Sequence, residues 1–105
     1  MVLDEKSVQK VLLKEGARAD EALAICREIL SNDDNPWDAE ALEEMCRAAG
    51  EAAGLKPKLL FQPLRVAVCG NMVSPPLFEA MMLMDPADVV ARIDGVTAKV
   101  FGSER

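Results

Sequence analysis

One device recurs along this chain and sets its architecture: an apolar residue, a capping residue next to it, and a second apolar residue five positions after the first. Trp37-Asp38 with Leu42, Val73-Ser74 with Phe78, and Met84-Asp85 with Val89 all follow it. At a helix start the two apolar residues staple the entering chain, and the oxygen between them can accept an orphan N–H of the first turn. Pro75 and Pro86 reinforce two of the three starts, because proline at the first helical position gives up no hydrogen bond and already has the required φ. Glycines punctuate the other ends, at Gly16, Gly54 and Gly70. In 105 residues, punctuation this dense leaves room only for short helices. The expected fold is all-α, a compact bundle of five to six of them.

The apolar spacing fills in the rest. A first helix is expected over 7–15, with Val8, Val11 and Leu12 on one face and Gly16 after it. A second starts near Asp20, with Leu23, Cys26 and Leu30 in a stripe flanked by Ala22, Ile25 and Ile29, and the polar run 31–36 stops it. Asp38 caps a third, in which Leu42, Met45, Ala49 and Ala52 recur at helical spacing before a stop at Gly54. Its many small residues predict close packing against a neighbour. Residues 56–63 read as a loop. Leu64–Cys69 is open between two readings: its β-branched residues suit a strand, while Pro63 before it and Gly70 after it suit a two-turn helix. Ser74 and Pro75 start the next helix, with Leu77, Ala80, Met81 and Met84 along one face. Asp85 and Pro86 start another, with Val89, Val90 and Ile93 inward, and Gly95 ends or bends it before 96–101.

Composition excludes several chemistries. There is no histidine, which removes the commonest general base and metal ligand and excludes a self-contained Ser-His-Asp or Cys-His enzyme. Cys26, Cys46 and Cys69 form no CxxC pair, so buried reduced thiols are expected rather than a disulfide framework or zinc site. Cys69 as a nucleophile has no activating partner in the sequence. No apolar run approaches the ~20 residues of a membrane span, and no signal peptide is visible; a cytoplasmic protein without membrane contact is expected. Charge is unevenly distributed. Residues 1–51 carry thirteen acids and six bases, 52–78 carry Lys56, Lys58 and Arg65 with no acid, and 79–105 carry five acids and three bases. A net charge of −6 argues against general nucleic-acid binding, DNA included, whereas the basic island permits one confined contact with an anion.

The island holds a specific string. Gly54-Leu55-Lys56, then Phe61-Gln62-Pro63-Leu64-Arg65-Val66-Ala67-Val68, then Gly70, then Val73-Ser74-Pro75-Pro76-Leu77-Phe78-Glu79 resembles the C-terminal end of bacterial glutamyl-tRNA synthetases. Trp37 with Ala39-Glu40-Ala41-Leu42-Glu43 resembles the helix leading into it, and Val89-Val90-Ala91-Arg92-Ile93 the last helix. The likeness covers about residues 37–94; residues 1–36 match in helical character. Lys58-Leu59 stands where members commonly have Gly-Lys, and Cys69 where Thr is common.

The resemblance implies a helical anticodon-binding subdomain over 37–101, preceded by a weakly matching helical segment over 1–36 and followed by a tail over 102–105. It implies a parent ligase that charges tRNA with glutamate using ATP and magnesium on a separate catalytic domain. The signatures of that domain are absent from this chain, so the chain alone is expected to carry out no chemistry. The implied partners are the anticodon loop of glutamate tRNA, a preceding helical subdomain and the catalytic domain. The matching positions assign Arg65, Ser74, Pro75 and Leu77 to the first two anticodon bases, with Lys56 and Lys58 as further basic residues. The chemistry is compatible: anticodon bases are unstacked and readable on their edges, and a guanidinium forks onto base oxygens or phosphates. The alternative is a helical protein-interaction domain that kept the synthetase core and lost RNA contact. For each of these residues a structural role competes, Arg65 as a solvated ion-pair partner, Ser74 as a cap, Leu77 as core.

Overall fold

Helix is the outcome wherever the apolar period is clear. The computed structural model describes residues 5–13, 16, 18–70 and 76–101, and among them every regular element is helical. A single turn, α1 (Glu5–Ser7), runs into a π-helical segment over Val8–Leu12, closed by Leu13 N–H donating to the Val8 carbonyl at 2.9 Å. Val11 and Leu12 are buried as the period requires. The element starts two residues earlier than the sequence suggests and stops at Leu12, short of Gly16.

The centre is α2 (Ala19–Leu30), which packs against α3 (Ala39–Ala52), α4 (Pro57–Cys69) and α6 (Pro86–Val96). Its stripe of Ala22, Leu23, Cys26 and Leu30 is buried as expected. Two arginines tie α2 to its neighbours. Arg18, held at φ +55, forks onto Glu21 at 2.9 and 2.6 Å and donates to the Ala53 carbonyl at 2.8 Å. It thereby satisfies a carbonyl that the end of α3 would leave open. Arg27 forks onto Asp94 of α6 at 2.5 and 3.1 Å.

α3 begins and ends as its sequence predicts. The Asp38 carboxylate accepts from Ala41 N–H at 2.9 Å. At the other end Gly54 sits at φ +81, with Leu55 N–H on the Gly50 carbonyl at 2.8 Å and Gly54 N–H on the Glu51 carbonyl at 3.0 Å. That is the paired 6→1 and 5→2 bonding of a glycine-ended helix, and Leu55 is buried beneath it. The buried face differs from the expectation. Leu42, Cys46 and Gly50 point inward, Met45 and Ala49 are half-buried, and Ala52 is exposed. The close approach is confirmed at Gly50, where a Cβ would fall 2.7 Å from Leu60 Cδ2 of α4.

α4 settles the open segment as helix and corrects its start. Residues 57–63 are its first half rather than a loop, and Pro63 lies inside the helix rather than at its head. A proline there removes one ladder bond and costs about 3 kcal/mol. Leu60, Leu64, Val66, Ala67 and Val68 are all essentially inaccessible, and two buried leucines alone, at about 1.5–3 kcal/mol each, offset that loss. Gly70 ends the helix at φ +90, its N–H on the Val66 carbonyl at 2.8 Å.

α5 (Leu77–Met81) has Pro76 in the capping position, so it starts two residues later than the Ser74-Pro75 signal; Ser74 and Pro75, with the Val73 staple, lie outside the described residues. Asp85 and Pro86 stand at the cap and first position of α6, although the Asp85 side chain accepts no capping bond. Gly95 does not end this helix, which passes through it to Val96 and continues as a π-helical segment over Thr97–Phe101. Arg92 of α6 donates to the Val68 carbonyl in the last turn of α4 at 2.6 Å. Buried residues from Val11 to Val96 form one core. No helix among the described residues is long and apolar enough to cross a membrane.

Candidate nucleic-acid interface

α4, a 13-residue helix buried on much of its circumference, exposes Pro57 and Leu59 in its first turn and keeps a strip of surface along its length, Lys58, Phe61, Gln62, Arg65 and Cys69. These positions fall three and four apart, which places them on one face. Lys58 is exposed and the other four are half-buried. Lys58 and Arg65 are two turns apart, about 10.5 Å along the axis. The face therefore carries two cations, an amide and an aromatic ring.

A cleft of about 200 Å³ opens beside this strip, between α3, α4 and the start of α5. Arg65, Phe61 and Leu77 line it, with Glu43 from α3 and Glu79 from α5. The Phe61 ring meets Phe78 edge to face, centroids 5.5 Å apart at 84°. Arg47 lies over the Phe61 ring at 5.7 Å from its centroid and donates to Glu43 Oε2 at 2.9 Å. Four side chains from three helices thus hold one another: Glu43 fixes Arg47, Arg47 covers Phe61, and Phe61 abuts Phe78.

The structure brings together some of the residues singled out from sequence and separates others. Arg65 and Leu77 share the cleft. Leu77, however, is only 4% exposed, so it forms wall and offers no open platform to a base. Lys56 caps α4 and Lys58 sits in its first turn, both exposed and neither lining the cleft. Ser74 and Pro75 lie outside the described residues. Glu43, Arg47, Phe61 and Glu79 were not singled out by sequence. The (i, i+4) spacing of Glu43 and Arg47 was legible as an ion pair, but their approach to Phe61 depends on how α3 meets α4. A wider cavity of about 450 Å³ lies between the first helical segment and the last one. It holds none of the motif residues.

Among the described residues, no group of three His, Cys, Asp or Glu could hold a metal ion. Cys26 and Cys46 are buried free thiols and Cys69 is half-buried. Hydrogen bonding from Cys46, with burial, pushes the Cys26 thiol well above its ordinary value, the opposite of an activated nucleophile.

Comparison with known proteins places this geometry in context. A family model described as an anticodon binding domain matches residues 1–97. The glutamate–tRNA ligase of Cutibacterium acnes is 40% identical over 101 residues, covering 95% of this chain and 19% of the relative. That of Streptomyces coelicolor is 43% identical over 100 residues, covering 94% and 19%. That of Leifsonia xyli is 46% identical over 63 residues, covering 59% and 13%. The chain spans about a fifth of the length of the curated relatives it matches.

Proposed function

The chain belongs to the anticodon binding domain family, and from that premise we propose that it grips the anticodon loop of a glutamate tRNA as one part of a glutamate–tRNA ligase. Its contribution is binding and positioning: by holding the anticodon it would set where the distant acceptor end meets the catalytic domain. ATP and magnesium would be handled by that other part of the enzyme, which a preceding helical subdomain would connect to this one. The observation that carries the reading is the strip on α4, Lys58-Phe61-Gln62-Arg65, set against a cleft in an otherwise acidic chain. A confined basic strip suits a short unstacked loop better than a long duplex, which needs charge spread over many phosphates.

The test is an NMR titration of the labelled 105-residue chain with a glutamate-tRNA anticodon stem-loop, and with the same stem carrying a scrambled loop. Expected are shifts confined to Arg65, its α4 neighbours and residues 74–77, weakening as salt rises and absent with the scrambled loop. Absence of shifts with either RNA at millimolar concentration overturns the reading for this chain and returns the protein-interaction alternative.

A further inference from the structure

The cleft beside Arg65 is lined by more acid than base, whereas phosphate-gripping surfaces are net positive. Arg65 shares it with Glu43 and Glu79, and Arg47 at its edge is already committed to Glu43 at 2.9 Å. A phosphate entering here gains one guanidinium and meets two carboxylates. A neutral base gains from both signs, because every nucleobase carries an acceptor beside an N–H donor on its pairing edge. A guanidinium donates to the acceptor, and a carboxylate accepts from the amino or imino N–H. The size agrees: about 200 Å³ lies below the ~300–1,000 Å³ of pockets that take drug-sized ligands, and suits a single ring system.

Of the two carboxylates, Glu43 is the one held in place. It is half-buried, whereas Glu79 is exposed. One of its oxygens is tied to Arg47, and Arg47 is itself laid over the Phe61 ring. We infer that Glu43 is a specificity-determining residue that admits the edge of an unstacked base to the Arg65 cleft and turns the phosphate backbone away, with Arg47 as the positioning residue that holds it. This rests on the anticodon reading above and adds to it the acceptor half of the site, contributed by α3.

The test is Glu43→Gln in the 105-residue chain, with affinities for the glutamate anticodon stem-loop and its scrambled counterpart measured over a salt series. Glutamine keeps the size and an acceptor and removes the charge. The expected result is a tighter hold on the scrambled loop, a steeper salt dependence there by about one phosphate contact, and a fall in the ratio of the two affinities of roughly 5- to 100-fold, the range of one base-edge contact. Arg47→Ala should move the ratio the same way and Arg47→Lys should restore it. A purely structural role would weaken both RNAs equally and leave the salt slope alone, and either that result or no change overturns the inference. A wild-type chain that discriminates beside an indifferent Glu43→Gln overturns this inference only. A wild-type chain that binds neither loop overturns the anticodon reading and this inference with it.

Discussion

The two flanks of the bundle use the same parts to different ends. On the α3–α4 flank, Gly50 lets Leu60 come so close that a Cβ would fall 2.7 Å away, and the Glu43–Arg47 pair is stacked over an aromatic ring. On the α2–α6 flank, Gly95 faces open space with nothing within 4 Å of a Cβ, and the Arg27–Asp94 pair joins two helices beside a cavity of about 370 Å³ that Asp94 lines with Asp33 and apolar side chains, with no cation or aromatic ring in its wall among the described residues. The two ion pairs are almost equally exposed, 46% and 44% against 46% and 48%. Exposure alone therefore does not separate an ion pair that shapes a site from one that trims a surface; the neighbours do.

The sharpest way to break the comparison is to remove the cation at the centre of the first flank. Arg65→Ala should weaken binding of the cognate stem-loop by ~1–3 kcal/mol if the guanidinium reads a base edge. Arg27→Ala on the other flank should leave the same affinity unchanged. Fluorescence or NMR titration of both variants checks this. Equal losses from the two would mean that RNA contact follows general charge and not the α4 strip.

The glycines come next, with opposite signs expected. Gly50→Ala gains helix propensity but must push against Leu60, which is 0% exposed and surrounded. The overpacking term, about 1–3 kcal/mol, outweighs the ~1 kcal/mol of propensity, so the variant should unfold at lower temperature. Gly95→Ala meets nothing and should raise stability by about 0.5–1 kcal/mol. Thermal unfolding followed by circular dichroism reads both. Two stabilised variants would show that Leu60 yields easily and that α3 and α4 are less tightly joined than their contact implies.

The same contrast explains what was legible in the sequence. Asp38 and Gly54 could be assigned because a cap acts within one turn and needs only local chemistry. The α2 stripe could be assigned because one face alone is buried. α4 could not: with Leu60, Pro63, Leu64, Val66, Ala67 and Val68 all buried, little polar face is left to show a period, and two prolines both look like starts. The buried face of α3 was displaced by one residue because Cys46 and Gly50, small and weakly hydrophobic, are what the close α4 neighbour requires. At the site, Arg65 stood out only through the string around it. Glu43, Arg47 and Phe61 become a unit through the α3–α4 approach, which no local pattern encodes.

The smallest effects test whether the exposed ion pairs are structural at all. A double-mutant cycle on Arg27 and Asp94 should give a coupling of about 0.2–1 kcal/mol, shrinking with salt. Loop discrimination should be untouched, in contrast to the Glu43–Arg47 pair. A third pair adds a pH signature. Hydrogen bonding to Arg18 holds the Glu21 carboxyl below its ordinary value of 4.5. A depressed carboxyl binds its proton more readily in the unfolded chain, so its contribution is fully present above pH 4.5 and fades as pH falls through the lower folded value. Glu21→Gln should therefore flatten the acid limb of the stability curve and change little at neutral pH beyond the loss of the pair itself. Since Arg18 also donates to the Ala53 carbonyl, Arg18→Ala should lose more than Glu21→Gln at every pH, the excess being the open end of α3. Equal losses at neutral pH would reduce Arg18 to an ion-pair partner and remove its role in joining α2 to α3.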